Sequence, residues 1–349
     1  MESKDRKTLA LVRNRSRRSE RRKAVKRLRE ARRQVAWLLS GSFGAPLRAP
    51  EEIAVERGTS HTELCEFLAE LRNRALSAPN SSLVVDFRRT RRIAPGGMLL
   101  LYSELQRIRA AFASLAFRCV PSRDDVVNQV LEHLGVFALM GRHGVAAPQR
   151  EDVVRWRKLS GTTVDSEAYG PLIEMQEELS TPLAKQLFRG VAEATTNVIH
   201  HADSRNRGDG IPAPGENKWW MFLRQEESML YVGVCDLGIG IPKSLPARYP
   251  GEILGAILES IGGGSNDGAM IRGAFELART RTNQSERGKG LPDVRRVVDS
   301  VSGSKLFVLS NRGILQYGSG EFDYGNRRKS IMGTLIVWQL PLDGEKDVG

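Results

Sequence analysis

The stretch EATTNVIHHA, residues 193–202, decides how the second half of this chain is read. Leu183, Leu187, Ala194 and Val198 recur at spacings of four and seven, the 3.6-residue period of a helix packed along one side. Polar residues occupy the neighbouring face. Glu193 and Asn197 are one turn apart, so their side chains project together, and His201 extends the row by a further turn. A carboxylate beside a carboxamide suits a hydrated cation. An ordinary solvated helix face carries such residues as well, so the rest of the chain has to separate the two readings.

Downstream, a polar loop, DSRNRGDGIPAPGEN, leads into two apolar runs, KWWMFLRQ and MLYVGVCD, separated by EES; the pattern predicts a hairpin. The second run ends in Asp236 and continues as DLGIGIP, which sets a carboxylate beside Gly238 and Gly240, where a ligand can approach the backbone closely. From Arg287 the chain reads RGKGLPDVRRVVDSV. Gly288, Lys289 and Gly290 precede an amphipathic helix with apolar positions at Leu291, Val294, Val297, Val298 and Val301. The unpaired amides and positive dipole end of such a helix start form an anion site, to which Lys289 adds a formal charge. Neither GxxxxGK[ST] nor a GxGxxG after a strand is present, which excludes the P-loop and dinucleotide-binding folds. GTLIVWQLPL, opening on Gly333 and Thr334, closes the chain with a strand.

Taken in this order, residues from about 172 to 342 resemble the ATP-binding domain of the GHKL superfamily, which includes histidine kinases, anti-sigma factor kinases, gyrase, Hsp90 and mismatch-repair ATPases. The resemblance implies a Bergerat-type α/β sandwich with ATP and Mg²⁺ as ligands. Asn197 would then ligate the metal, and Glu193 would orient or deprotonate the attacking water or hydroxyl. Asp236 would accept a hydrogen bond from the adenine amino group, with Thr334 supporting it. Gly238 and Gly240 would admit the nucleotide, while Gly288, Lys289 and Gly290 would shape the phosphate end. Residues 242–287, with the run SIGGGSNDG and two candidate helices around Ile253 and Ala274, would form a lid ordered by the γ-phosphate.

The first half is organised differently. Residues 40–51 are rich in Gly and Pro and read as a linker. Between 52 and 141, EIAVE, SLVVDF and SLAFRCV read as strands, alternating with helices at HTELCEFLAELRNRAL, GGMLLLYSELQRIRAAF and DDVVNQVLEHLGVFALM. Within it VVDFRRTRRIAPGGMLLLYSELQRI, residues 84–108, resembles the STAS domain of anti-sigma factor antagonists: a buried strand ends in Asp, and a Gly pair opens an amphipathic helix. The likeness extends over about 90 residues. Phosphorylatable members present a Ser in the loop before that helix, whereas IAPGGM has no hydroxyl and Thr90 and Ser103 are poorly placed substitutes. The resemblance therefore implies a docking or scaffolding module for a protein partner. Residues 142–171 read as a polar connector, giving a two-domain α/β chain, STAS-like then GHKL-like.

Composition narrows the setting. With 349 residues, 40% hydrophobic and 27% charged, the chain has length for two cores. Cys65, Cys119 and Cys235 form no CxxC, so neither a disulfide framework nor a zinc site is expected, and a reducing cytoplasm fits. No apolar run reaches the length of about 20 that spans a bilayer. The net charge of +12 sits in an arm: residues 1–33 hold fifteen Lys or Arg against four Asp or Glu, a net of +11. Such an arm could follow nucleic-acid phosphates, or meet an acidic protein or anionic lipid. Val25, Leu28, Val35, Leu38 and Leu39 also allow a helix over part of 1–39 that packs on a partner chain, a second copy in a homodimer included. Residues 343–349 form a tail.

ATP binding does not say what ATP is for. Glu193 favours an ATPase that switches its affinity for a protein partner with nucleotide state. A serine/threonine protein kinase of the anti-sigma type, acting in trans, is the alternative, favoured by the STAS-like neighbour. A nucleic-acid-associated regulator using the arm is the third reading. A histidine autokinase is disfavoured, since only His133 and His143 lie near the required acceptor position. Deleting residues 1–33 is expected to abolish salt-sensitive DNA or RNA binding in a filter-retention assay and to leave ATP affinity unchanged. Absence of nucleic-acid binding by the full chain at low salt would remove the third reading.

Overall fold

The computed structural model describes residues 45–164, 169–170, 172, 179–204, 207–213, 215–281 and 290–342. The expectations for the arm (1–39), for 282–287 of the lid, for Gly288 and Lys289, and for the tail (343–349) lie outside the described residues. The chain divides into two units, Met1–Pro46 and Leu47–Gly349, and every element named below belongs to the second.

This unit has a mixed α/β fold. Its first part runs β1 (Leu47–Arg48), β2 (Glu52–Ile53), α1 (Gly58–Ser77), β3 (Ser82–Asp86), β4 (Arg92–Ile93), α2 (Pro95–Ala111), β5 (Ala116–Val120), α3 (Asp125–His133) and α4 (Val136–Leu139). Strands β1, β3 and β5 pair in parallel, as do β2 and β4. The segment expected as a linker thus contributes β1, with Leu47 opposite Val85. The single helix expected over 124–140 is broken at Gly135, whose φ of 75° ends α3 and starts α4.

The second part begins earlier than expected. Residues 142–171 are not merely a connector, because α5 (Glu151–Val154) and β6 (Trp156–Gly161) fall within them. There follow α6 (Thr181–His201), β7 (Trp219–Glu226), β8 (Met229–Asp236), α7 (Ile241–Arg248), α8 (Gly251–Ser260), α9 (Asp267–Arg281), α10 (Gly290–Asp299), β9 (Lys305–Ser310), β10 (Gly313–Gly318), β11 (Glu321–Asn326) and β12 (Thr334–Pro341). Seven strands form one antiparallel sheet in the order β11-β10-β9-β12-β8-β7-β6. The expected β7–β8 hairpin is present, turning through Glu227 at φ 51°.

Over β7, β8 and β12 both faces of this sheet are buried. On one, Trp219, Met221, Leu230, Val232, Val234, Ile336 and Trp338 pack against Leu187, Val191 and Val198 of α6 and Val294, Val297 and Val298 of α10. The two helices approach closely at Gly190, where a Cβ would lie 2.6 Å from Val297. On the other face Trp220, Phe222, Cys235, Leu335 and Val337 share a core with Leu99, Tyr102 and Leu105 of α2. Two of the sheet's tryptophans find acceptors on their own sides: Trp338 Nε1 donates to the Val294 carbonyl at 2.8 Å, and Trp220 Nε1 to Gln106 Oε1 at 2.7 Å. The expectation of an amphipathic helix at 96–112 is therefore corrected. From Met98 to Leu105 every residue of α2 is buried, because it lies between the small sheet with α1 and the large sheet. The two expected domains meet across one continuous core.

Five buried charges cross the same boundary. Glu104 of α2 accepts from Arg72 of α1 at 2.6 Å and from Arg207 of the loop after α6. Asp209 of that loop accepts from Arg107 of α2 at 2.6 and 2.8 Å. Removing one member of such a set leaves an uncompensated buried charge, at a cost of about 3–5 kcal/mol. Cys65, Cys119 and Cys235 are free and buried; burial pushes the Cys65 thiol up to about 12 and the Cys119 thiol up to about 11, and raises Cys235 as well.

The glycine pair at the start of α2 is a packing device. A Cβ on Gly97 would lie 2.5 Å from Ala54 N and Ile53 O, and one on Gly96 would lie 2.9 Å from Val55 and 3.2 Å from Leu335. Gly97→Ala is expected to destabilise the unit by roughly 1–3 kcal/mol, read as a lower midpoint of a urea melt followed by tryptophan fluorescence. The melt should remain one cooperative transition, since two would contradict the shared core.

Candidate functional site

Helix α6 starts after Ser180 with Pro182 in its first turn and carries its apolar stripe into the sheet, which leaves the row Glu193, Asn197 and His201 beside the sheet's edge of loops. Strand β8 ends at Asp236, with Thr334, the first residue of β12, directly opposite in register. The chain then turns through Leu237–Gly240 into α7. Asn197, His201, Asp236, Gly240 and Thr334 line one cavity of about 90 Å³, closed by Val198, Val234, Ile241, Leu245, Ala274, Leu291 and Ile336, with Arg248 also lining it.

The turn after Asp236 is fixed on both sides. A Cβ on Gly238 would lie 1.9 Å from the Ala202 carbonyl oxygen, which itself accepts from Ile239 N at 2.7 Å. The missing side chain of Gly238 thus makes room for the end of α6, and Gly238 is not part of the lining. Gly240 holds φ 80° with Asn311 Nδ2 2.7 Å from its Cβ position, and the Asn311 amide donates to the Ile239 carbonyl at 2.8 Å. Ser310 Oγ accepts from Ile241 N at 2.8 Å and meets Thr334 Oγ1 at 3.0 Å.

Burial dominates the electrostatics here. Asp236 is 6% exposed, and desolvation raises its pKa to about 6; the Gly238 amide at 2.7 Å, the Thr334 hydroxyl and the charge of Arg207 oppose the rise. His201 moves the other way, to about 4, through burial and then the neighbouring charge of Arg248, so it is neutral at pH 7. Glu193 is raised by burial and next by the charge of Asp293 on α10. Neither Glu193 nor Asn197 has a side-chain hydrogen-bond partner among the described residues.

Five of the residues singled out in the sequence therefore meet in one cavity: Asn197, His201, Asp236, Gly240 and Thr334. Glu193 stands one turn from the lining, Gly238 lies behind it, and Gly290 begins α10, whose next residue, Leu291, lines the cavity. The sequence reading missed Arg248 and Ser244, which come from α7, a helix hidden by Pro242 and Pro246. Larger clefts exist, one of about 450 Å³ beside Arg89 and Arg123 and one of about 350 Å³ beside Arg91 and Arg224. Both face solvent with mixed charges, whereas the cavity at Asp236 combines apolar walls with a buried acceptor, the usual character of a small-molecule site. Among the described residues no helix is long and apolar enough to cross a membrane, and no group of three or more His, Cys, Asp or Glu is set to hold a metal by itself. No protein-family model matches the chain, and no curated protein does either.

The raised pKa of Asp236 gives a signed prediction. The folded state holds this proton more tightly than the unfolded chain, whose carboxylate titrates near about 3.9. Asp236 therefore contributes stability that is fully present below that value and is lost as the pH rises through about 6. Asp236→Asn removes the buried charge, so it is expected to melt a few degrees above the parent at pH 7.5 and to lose most of that margin at pH 4.5. Equal destabilisation at both pH values, measured by scanning fluorimetry, would show that burial is not the governing cost.

Proposed function

We propose that residues 156–342 bind Mg²⁺-ATP as a GHKL-type ATPase module, and that nucleotide occupancy switches the chain's affinity for a protein partner. The observation that carries this reading is the pairing, in the lining of one largely apolar cavity, of a buried acceptor, Asp236, with a carboxamide, Asn197, whose side chain has no hydrogen-bond partner among the described residues. A volume of about 90 Å³ has room for roughly six to nine water-sized centres, the scale of a fused bicyclic base and not of a whole nucleotide. The base would enter against Asp236 and Thr334, leaving ribose and phosphates to run toward the start of α10, where unpaired amides favour an anion.

The donor set fits magnesium. A hard cation that keeps several waters needs one or two protein oxygens together with phosphates, and Asn197 supplies such an oxygen. Mg²⁺ would neutralise charge on the phosphates; Asn197 would hold it, Arg248 would add a second cation at the rim, and neutral His201 would offer a hydrogen bond. Glu193, with its raised pKa, is suited to take a proton from water or a hydroxyl. Helices α7 and α8 pack on α9 through Leu245, Leu254, Met270, Ala274 and Leu277, whereas Ile271 and Phe275 fix α9 in the core of the sheet, so any closing movement over the base would belong to α7 and α8.

The kinase in trans is the second reading, because Glu193 serves an acceptor hydroxyl as well as water. Thr90 and Ser103 are 0% exposed, so its acceptor would belong to another protein. The partner itself would meet the STAS-like part, whose α2 is already committed to the sheet.

Fluorescent-ATP titration tests the reading. Asn197→Ala is expected to raise Kd in the presence of Mg²⁺ at least tenfold, about 1.4 kcal/mol, and to leave the metal-free value unchanged. Glu193→Ala should bind ATP within about threefold of the parent and lose turnover. Unaltered hydrolysis in Glu193→Ala would take that carboxylate out of the chemistry, and no ATP binding by the parent chain would end the nucleotide reading.

A further inference from the structure

We propose that Arg207 is a positioning residue of the nucleotide pocket, through which the seating of α2 on the far face of the sheet sets affinity for the base; this rests on the ATP reading above. Arg207 is 2% exposed and lies in the polar loop after α6, outside the cavity lining. Its one planar guanidinium holds three oxygens from three segments. Nε donates to the Met332 carbonyl at 2.7 Å, Nη1 to Asp209 at 2.9 Å, and Nη2 to Glu104 of α2. Glu104 is held in turn by Arg72 of α1, and Asp209 by Arg107 of α2.

The contact with Met332 reaches the pocket directly. Met332 has φ 54°, a left-handed conformation that a non-glycine residue keeps only when its surroundings impose it. Gly333 follows at φ 153°, where a Cβ would lie 2.3 Å from the Asp236 carbonyl oxygen. These two residues bend the chain so that Thr334 enters β12 opposite Asp236. On one side the bend is anchored by the β9–β10 turn: Asn311 N donates to the Gly333 carbonyl at 3.1 Å, and Ile331 N to the Asn311 carbonyl at 2.9 Å. On the other side the Met332 carbonyl is held by Arg207.

The charge count points the same way. Arg72, Arg107 and Arg207 face Glu104 and Asp209, an excess of one cation within the buried set. The charge of Arg207 also reaches Asp236, where it opposes the rise that burial imposes. Stability alone would be served at least as well by apolar residues in place of the whole buried set. An arginine fits the additional task of fixing Met332 and biasing Asp236 toward its ionised, hydrogen-bond-accepting form.

The test compares two charge-preserving variants of the full chain, Arg207→Lys and Arg72→Lys, by titration with ATP and with GTP. Both weaken the hold on Glu104; only Arg207→Lys also gives up the Met332 carbonyl, because an ammonium cannot span three acceptors in a plane. Arg207→Lys is expected to lose at least tenfold in ATP affinity and most of the preference for ATP over GTP. Arg72→Lys should stay within twofold of the parent on both measures, with similar melting temperatures. Wild-type affinity and base preference in Arg207→Lys, or equal losses in both variants, would overturn the proposal. Should Arg207→Lys not fold, hydrogen exchange on the parent chain decides: ATP is expected to slow exchange at 104–108 and 207–211 as well as at 331–334, and no change at the first two segments refutes the coupling. A parent chain that binds no ATP removes the nucleotide reading and this inference with it.

Discussion

The seven-stranded sheet carries large apolar side chains on both of its faces, and an antiparallel sheet so built must be covered twice. Helices α6 and α10 cover one face, and α2 covers the other. Most of the architecture follows from that requirement. The helix that closes the far face has to be buried nearly all round, since it also serves the core of the small parallel sheet. It has to approach closely, which the glycine pair at its start permits. The candidate site then falls at the margin of the α6–α10 cover, where β8 ends and β12 begins.

Burial is also what gives that margin its chemistry. Desolvation drives Asp236 and Glu193 toward their protonated forms and His201 toward its neutral form. Donors brought to Asp236 and cationic charge brought near Glu193 would favour the ionised forms, against the direction in which burial acts.

Long periodic segments were legible in the sequence. The helix over 181–201, the β7–β8 hairpin, the helices around Ile253 and Ala274 and the terminal strand all stand where their apolar spacing puts them. Strands β1 and β6 did not register, because two residues, or WRKLSG with only Trp156 and Leu159 apolar, show no period. The union of the two halves left a trace that the reading passed over. KWWMFL and TLIVW are unbroken apolar runs, whereas a sheet with one wet face alternates. For the site, DxGxG and ExxxN contribute Asp236, Gly240 and Asn197 to one cavity, while Glu193 stays outside its lining. Gly238 is a glycine for another reason, the Ala202 carbonyl. Arg207, in RNRGDG, has the look of a solvated loop residue, and its burial depends on Glu104, which no local pattern connects to it.

The thiols carry a separate consequence. Held neutral inside the fold, Cys65, Cys119 and Cys235 are poor targets for alkylating agents while the chain stays closed. Cys235 sits where α2 meets the sheet, 3.9 Å from Ser103, whereas the other two belong to α1 and β5. Rates of modification at the three positions would thus report separate openings: lifting of α2 from the sheet at one, loosening of the parallel-sheet layer at the others. The molecule carries its own footprinting labels, with no cysteine to be introduced.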